Sequence, residues 1–196
     1  MKKEIILASS NKNKIREFSQ ILSDCKILSL DDIGYDEEIE ETGETFVENA
    51  LIKAKAVSEF LKKKGIEREV LADDSGLCVN ALNGEPGVYS ARYAGGHGNN
   101  EANIQKLQEK LKGFSDRSAY YVCVVVKYNP DGSYVYSEGR VEGEILKEKD
   151  GESGFAYDPI FFSKELNKSF GRATADEKNS ISHRGKAIRE IKNMMS

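Results

Sequence analysis

The stretch Val70-Leu71-Ala72-Asp73-Asp74-Ser75-Gly76-Leu77 is the part of the chain from which both its fold and its chemistry can be inferred. Its apolar beginning has strand character, and the polar residues that follow predict that the strand gives way to a turn. Side chains alternate along an extended segment, so Asp73 and Asp74 should point to opposite faces, with only one facing a site directly. Adjacent carboxylates suit a divalent metal, but Asp-Ser-Gly is also ordinary β-turn chemistry, and the stretch alone leaves both interpretations open.

The composition predicts one globular domain over residues 1–196, with room for two lobes. The chain is 39% hydrophobic and 32% charged and holds three prolines, which excludes disordered and collagen-like classes. A net charge of −4 argues against a general nucleic-acid binder, so any bound phosphate must meet a local basic cluster. Three scattered cysteines without CxxC spacing indicate neither a disulfide framework nor a zinc site and fit a reducing cytoplasm. The apolar run after the N-terminus is too short for a signal peptide or a membrane span.

The N-terminal segment predicts a strand, a polar loop and a helix. Residues 5–8 are apolar, residues 9–14 read Ser-Ser-Asn-Lys-Asn-Lys, and a helical pattern begins near Ile15. Such a junction offers backbone N–H groups and the positive end of a helix dipole to an anion, and Lys14 adds a mobile charge. The loop lacks the glycines of a Walker motif, so a solvated turn with capping serines remains the alternative.

A long helix should begin after Thr45, which has capping-box spacing with Glu48, and should end near Gly65. Lys53 lies at the edge of its apolar stripe, one turn after Asn49, and either extends its amine to water or directs it into a cleft. A second strand is expected at residues 26–30. The acidic residues 31–44 predict a solvated loop, whose Glu40-Glu41 pair could approach the two aspartates.

The C-terminal half adds a hairpin and two helical regions. Residues 118–128 and 133–145 predict long strands joined by Asn129-Pro130-Asp131-Gly132. The unbroken run Val122-Cys123-Val124-Val125-Val126 indicates a strand buried on both faces and central in its sheet. Helical patterns occupy residues 99–112 and 175–195, and a short strand is expected at residues 160–162. Alternating helices and strands with a hairpin define an α/β chain with a mixed sheet.

Six motifs, in this order along nearly the whole chain, resemble those of the inosine triphosphate pyrophosphatase family. They are Ser9-Ser10-Asn11-Lys12-Asn13-Lys14; Glu41-Thr42-Gly43 with Phe46-Val47-Glu48-Asn49-Ala50 and Lys53-Ala54; Ala72-Asp73-Asp74-Ser75-Gly76-Leu77; Gly84-Glu85-Pro86-Gly87-Val88-Tyr89-Ser90-Ala91-Arg92-Tyr93; Gly154-Phe155-Ala156-Tyr157-Asp158-Pro159-Ile160-Phe161; and Ser182-His183-Arg184-Gly185-Lys186-Ala187. Each motif is weak alone, and the ordered set is specific. Two residues depart from the family pattern. Ser10 stands where the family commonly has glycine, and Ala156 differs from the family's usual residue although its neighbours match.

The resemblance implies a fold, an activity and an assembly. The implied fold is a long curved mixed β-sheet with flanking helices, with two lobes and the active site in the cleft between them. The implied activity is hydrolysis of the aberrant purine nucleotides ITP, dITP and XTP to monophosphate plus pyrophosphate, which keeps them out of nucleic acids. Mg²⁺ as cofactor, a homodimer and a cytoplasmic location follow from the same resemblance, with neither nucleic acid nor membrane as a partner.

The resemblance also implies residue roles. Glu41 and Asp74 would bind the metal, Asp74 would also accept a proton from the attacking water, and Asp73 would support them as a further metal carboxylate. Substrate binding is assigned to three groups: the loop Ser9, Ser10, Asn11, Lys12, Asn13 and Lys14; the residues Lys53, Ser75 and Lys178; and the base-and-sugar set Phe155, Ala156, Tyr157, Asp158, His183 and Arg184.

Discrimination between bases is expected from stacking and hydrogen bonding. Phe155 can stack on a purine, and a donor such as Arg184 aimed at the 6-position would favour a keto oxygen over the amino group of adenine. Two rival functions remain at this stage. One is a related pyrophosphatase with another base preference, and the other is a nucleotide-binding regulator without turnover.

Overall fold

The computed structural model describes residues 2–96, 98–152 and 154–195 and contains a seven-stranded sheet of order β2-β1-β3-β4-β5-β6-β7. The strands are β1 Lys3–Leu7, β2 Cys25–Leu28, β3 Val70–Val79, β4 Ser118–Tyr128, β5 Tyr134–Ile145, β6 Phe161–Ser163 and β7 Lys168–Ser169. β1 pairs in parallel with β2 and β3, whereas β5, β6 and β7 pair antiparallel. The mixed sheet and the central position of β4 confirm the predicted fold class.

Helices flank this sheet. They are α1 Lys12–Ile21, α2 Leu30–Ile33, α3 Phe46–Lys63, α4 Asn100–Lys110, α5 Ala175–Ile181 and α6 His183–Met194. Short 3₁₀ turns occupy Asn80–Leu82, Gly87–Arg92 and Asp158–Ile160. In the part of the chain that the structure describes, no helix is long and apolar enough to cross a membrane.

The chain divides into two compact units, as the two-lobed expectation requires. The first unit holds the described residues of 1–74, 123–139 and 184–196, and the second holds those of 75–122 and 140–183. The second unit has its own core, in which the rings of Tyr121, Phe161 and Phe170 pack with centroids 4.7–6.0 Å apart. The single domain over residues 1–196 and the cleft location of the active site stay predictions.

The sheet of the first unit is covered on both faces, and strand alternation decides which helix each residue meets. Ile6, Val70, Ala72, Val124 and Val126 pack with the apolar side of α3. Ile5, Leu7, Leu71, Cys123 and Val125 pack instead with residues of α1 and α6. Asp73 therefore continues the face of Leu71 toward α1 and α6, while Asp74 continues the face of Ala72 toward α3.

Three sequence predictions about local structure were wrong. The Asp-Ser-Gly segment is no turn, because β3 runs through it without interruption from Val70 to Val79. The acidic region opens with α2, whose N-cap Ser29 forms a capping box with Asp32. The C-terminal helical region consists of two helices, since the extended backbone of Ser182 (ψ 155°) ends α5 before α6 begins.

Candidate active site

On the α3 face, Asp74 and Glu41 are each held by a side chain from α3. The amide Nδ2 of Asn49 donates to Asp74 Oδ2 at 3.0 Å, and the Lys53 amine lies 2.5 Å from Glu41 Oε1. Asn49 and Lys53 are four residues apart, so they share one side of the helix. The predicted capping box of Thr45 and Glu48 is present and fixes where this helix starts. The Lys53 amine is therefore largely buried and paired with Glu41 and does not extend to water, while its direction into a cleft stays a prediction.

On the opposite face, Asp73 is 1% exposed and sits among cations. The Lys14 amine lies 3.0 Å from its Oδ2, and Arg184 Nε lies 3.3 Å from the same oxygen. Arg184 also contacts Glu17 Oε2 at 2.5 Å. Among the described residues, none bonds to the other oxygen of Asp73, Oδ1, which is buried. The predicted opposite orientation of the two aspartates is confirmed by these partners.

The two aspartates have opposite pKa shifts. Burial disfavours the charge on Asp73, but the attraction of Lys14, and then of Arg184 and Lys53, outweighs it and lowers the pKa of this carboxyl well below its usual range. Burial is also the largest influence on Asp74, and with the charge of Glu41 it raises the pKa of that carboxyl despite both lysines. A raised pKa makes Asp74 the better proton acceptor of the two.

Lys53 keeps its charge despite its burial. Desolvation acts to lower the pKa of its ammonium, but the charges of Asp74, Glu41 and Asp73 together raise that pKa above its ordinary value. The region therefore holds three carboxylates and two lysines in mutual electrostatic contact. Because the acids outnumber the lysines, this group of residues as a whole is negative and favours a cation.

The loop of residues 9–14 has Asn11, and neither of its serines, as the cap of the helix that follows. Asn11 is the N-cap of α1, and its Oδ1 accepts from the backbone N–H groups of Asn13 and Lys14. Ser9 Oγ accepts from the Asn11 N–H, and Ser10 Oγ lies 3.4 Å from Asp31 Oδ1. The amides of Asn13 and Lys14 thus already have an acceptor. The side chain of Lys14 is the stronger candidate for phosphate binding.

The predicted base-binding residues Phe155, Ala156, Tyr157 and Asp158, with Lys178 and His183, belong to the second unit. Asp158 Oδ2 accepts from the Phe155 N–H at 2.5 Å and from the Lys178 amine at 2.7 Å. Phe155 is 37% exposed, as a stacking surface requires. This segment is therefore a turn whose shape is set by a buried acid.

Two other residues of this set are structural in their contacts. Tyr157 is buried, its hydroxyl donates to the Ser90 carbonyl at 2.9 Å, and burial raises its pKa. The His183 ring stacks on Tyr121 with centroids 4.7 Å apart. Ser75 follows Asp74 within β3 and is the first residue of the second unit. The ligand-binding roles of these residues stay predictions.

Ala156 has a left-handed backbone, with φ of 56°. This conformation costs a non-glycine residue about 1–2 kcal/mol, whereas glycine adopts it without a steric penalty. After allowance for the larger entropy of an unfolded glycine, Ala156→Gly should raise the free energy of unfolding by about 0.5–1 kcal/mol. Urea denaturation measures this free energy. Ala102→Gly in α4 is the control and should lower the value by a similar amount, and equal losses in both variants would contradict the strain.

Sequence reasoning missed the parts played by Glu17 and Asn49. Glu17 lies three residues after Lys14, one turn along α1, and this helical spacing was the available signal. Within the described ranges, no group of three His, Cys, Asp or Glu side chains is arranged to hold a metal ion. Asp73 faces Lys14 and Arg184 in this structure, and the metal-binding roles of Glu41, Asp73 and Asp74 stay predictions.

The first unit defines a class of protein. Two adjacent acids lie on opposite faces of its sheet, and each is in electrostatic contact with lysines. Carboxylates that can bind a metal, together with lysines that can bind phosphate, are the groups used in metal-assisted phosphate chemistry. The chain belongs to the Ham1 family, whose model matches residues 5–194. The family resemblance predicted from the motifs is thereby confirmed.

Relatives and solved structures agree with this membership. A dITP/XTP pyrophosphatase of Clostridium perfringens (strain 13 / Type A) is 48% identical over 195 residues, which cover 97% of this chain and 96% of the relative. A dITP/XTP pyrophosphatase of Staphylococcus aureus (strain MW2) is 46% identical over 186 residues, covering 95% and 93%. The structures of the Staphylococcus aureus Ham1 protein and of a HAM1 protein from Coxiella burnetii each cover 98% of both chains with TM-scores of 0.87, at 44% and 41% identity.

Proposed function

We propose that this protein is a Mg²⁺-dependent nucleoside-triphosphate pyrophosphohydrolase that converts dITP, ITP and XTP to the monophosphate and pyrophosphate. The observation that carries the proposal is the position of Asp74, a buried acid of raised pKa held by Asn49 beside Lys53 and Glu41. The names of the similar proteins from Clostridium perfringens and Staphylococcus aureus support the substrate class. Hydrolysis of a phosphoanhydride needs a proton acceptor for water and cations for the phosphates, and this group of residues supplies both.

Different residues of this chain perform different parts of the reaction. Lys14 and Lys53 bind the phosphate oxygens and offset the charge that develops as the anhydride breaks. Asp74 accepts the proton of the water that attacks the α-phosphorus. Asp73 holds Lys14 in place, because their charged groups are only 3.0 Å apart in a buried environment. Pyrophosphate then departs with the electron pair of the bridging oxygen.

The residues around Asp74 fit a magnesium ion. Mg²⁺ is commonly bound by one or two carboxylates together with substrate phosphates and water, so Glu41 and Asp74 suffice as protein ligands. The three carboxylates of this region outnumber its two lysines, and a cation would relieve that excess of negative charge. When bound, the ion supplies charge stabilisation for the phosphate oxygens. Asp73 is better described as the counter-charge of Lys14 and Arg184 than as a further ligand.

Recognition of the base is assigned to the second unit. Phe155 offers its exposed ring for stacking, and the turn that carries it is fixed by Asp158 and Lys178. The direct contact of Arg184 with the 6-position has to compete with Asp73 and Glu17, which already accept from its guanidinium. We therefore assign the contact with the base edge to the turn of residues 154–158 and to His183 first.

A panel of nucleoside triphosphates with Mg²⁺, assayed for pyrophosphate release, tests the function. We expect kcat/KM for ITP, dITP and XTP to exceed that for ATP by about 10- to 100-fold, the cost of leaving a desolvated donor opposite the amino group of adenine. Release from a modified pyrimidine triphosphate alone would favour the related pyrophosphatase with another base preference. Equal values for ITP and ATP would contradict the base preference, and tight binding without release would favour a regulator.

The remaining parts of the proposal rest on the family resemblance and on charge. The substrate is a free nucleotide and not a nucleic acid, in agreement with a net charge of −4. We propose a homodimer in the cytoplasm. The three scattered cysteines, two of them buried, form no disulfide in the part of the chain that the structure describes and suit a reducing compartment.

A further inference from the structure

Asn49 joins two parts of the first unit that are distant in sequence. Its side chain is fully buried. The amide Nδ2 donates to Asp74 Oδ2 at 3.0 Å, and the amide Oδ1 accepts from the backbone N–H of Gly43 at 2.8 Å. One side chain therefore links β3, α3 and the segment that carries Glu41.

We propose that Asn49 is the positioning residue that sets Glu41 against Asp74. This inference rests on the proposed function, in which these two acids serve the reaction. The bond to Asp74 fixes the rotation of its carboxylate, and the bond to Gly43 fixes the backbone two residues from Glu41. The two acids, 33 positions apart in sequence, thereby acquire a fixed geometry. A carboxamide suits this task because it donates and accepts at once while remaining uncharged.

The close packing around Gly43 supports a specific contact between its backbone and the Asn49 amide. A Cβ at Gly43 would lie 2.8 Å from Asn49 Oδ1 and 2.6 Å from Glu48 Cβ, so the backbone can approach Asn49 only without a side chain. Gly43 has no positive φ, and it is the close approach, not the backbone conformation, that requires glycine here. The loop is thus fitted against the Asn49 amide.

The helix itself does not need Asn49. The first turn of α3 is satisfied by the capping box of Thr45 and Glu48, and Glu48 Oε2 also accepts from the Glu44 N–H. The Asn49 side chain is directed away from these bonds, toward the strand and the loop. A purely structural amide would stabilise the fold without affecting the relation between Glu41 and Asp74.

Two substitutions each disrupt one of the two hydrogen bonds that Asn49 makes to Asp74 and to Gly43. Asn49→Asp preserves the shape and the acceptor for Gly43 but replaces the donor to Asp74 with a third carboxylate. Gly43→Ala leaves Asn49 intact and pushes the loop away from it. We expect each variant to lower kcat by about 10- to 100-fold, as is typical when a group that orients ligand residues is lost. Mg²⁺ affinity, measured by calorimetry without nucleotide, should fall by about tenfold or more in Gly43→Ala, which changes the position of Glu41 without adding a charge.

Backbone exchange in the metal-free protein gives a readout that does not depend on activity. The backbone amide of residue 43 should exchange about tenfold faster in Gly43→Ala than in the unaltered protein. In Asn49→Asp, which keeps the acceptor, the same amide should stay protected. Asn103→Asp is the matched control. Asn103 is also buried, and its Oδ1 accepts from the Ala94 N–H at 2.7 Å in the second unit. Its kcat and Mg²⁺ affinity should stay within about threefold of the unaltered protein.

The outcomes separate the inference from the proposed function. Loss of kcat in both variants and of Mg²⁺ affinity in Gly43→Ala, with neither loss in Asn103→Asp, supports the inference. Unaltered kcat in either variant, or unaltered Mg²⁺ affinity in Gly43→Ala, would overturn it, whatever happens to stability. If Asn49→Asp fails to fold, Gly43→Ala decides. If the unaltered protein releases no pyrophosphate from any nucleotide, the proposed function fails, while exchange at residue 43 and Mg²⁺ affinity still report whether the link exists.

Discussion

Asp74→Asn should lower pyrophosphate release from dITP by about a thousandfold or more while the protein stays folded. General-base catalysis alone contributes about 10²- to 10⁴-fold, and loss of a metal carboxylate adds to this. The amide is isosteric, and its oxygen can still accept from Asn49, so the packing around β3 is retained. Initial rates at saturating Mg²⁺ measure the effect, and thermal denaturation confirms that the variant folds.

Asp24→Asn is the control for this substitution. Asp24 is an exposed acid that pairs with Lys192 on the surface, so its loss should leave the rate unchanged. Binding of dITP to Asp74→Asn should persist, because Lys14 and Lys53 remain. Near-normal turnover in Asp74→Asn would remove this residue from its assigned part in the reaction.

Arg184→Leu should lower the free energy of unfolding by about 3–5 kcal/mol, the cost of removing one partner from a buried ionic group. Arg184 is 5% exposed and is the shared partner of Asp73 and Glu17. The charges of both acids raise the pKa of its guanidinium in spite of burial. Without it, Asp73 keeps its contact with Lys14 at 3.0 Å, and Glu17 loses its buried contact with Arg184. Guanidinium chloride denaturation at pH 7 measures the change.

Arg172→Leu is the matched control. Arg172 pairs with Asp150 at 2.5 Å, but its side chain is 67% exposed, so this ion pair is worth less than about 1 kcal/mol. Similar decreases in the free energy of unfolding for the two arginine variants would contradict the buried ionic group. The contact with the base, inferred from the motif, would then be the principal role of Arg184.

The sequence predicted the sheet and its helices because their signals are local. The capping box at Thr45, the valine run of β4 and the hairpin at residues 129–132 each depend on a few neighbouring residues. The opposite orientation of Asp73 and Asp74 followed from strand alternation alone. The same reasoning expected a turn after Ala72, because polar residues within a strand become stable only when distant side chains pair with them, as Lys14 and Asn49 do here.

The partners of the site residues could not be derived from the sequence. That Lys53 meets Glu41, and that Arg184 meets Glu17, depends on how β3 and its helices pack, over separations of 12 and 167 positions. The motif containing Arg184 suggested a base-reading donor, which stays a prediction, and only the packing shows that its guanidinium also pairs with Glu17 and Asp73. Local spacing indicated which residues matter, and only the packing indicated what each one contacts.

Centrally, we propose that a water molecule attacks the α-phosphorus of the nucleotide, which is the position that Asp74 would serve as proton acceptor. Hydrolysis of dITP in ¹⁸O-labelled water, followed by mass spectrometry of both products, tests it directly. We expect one ¹⁸O atom in dIMP and unlabelled pyrophosphate. Label in the pyrophosphate, or release of dIDP with labelled orthophosphate, would contradict it.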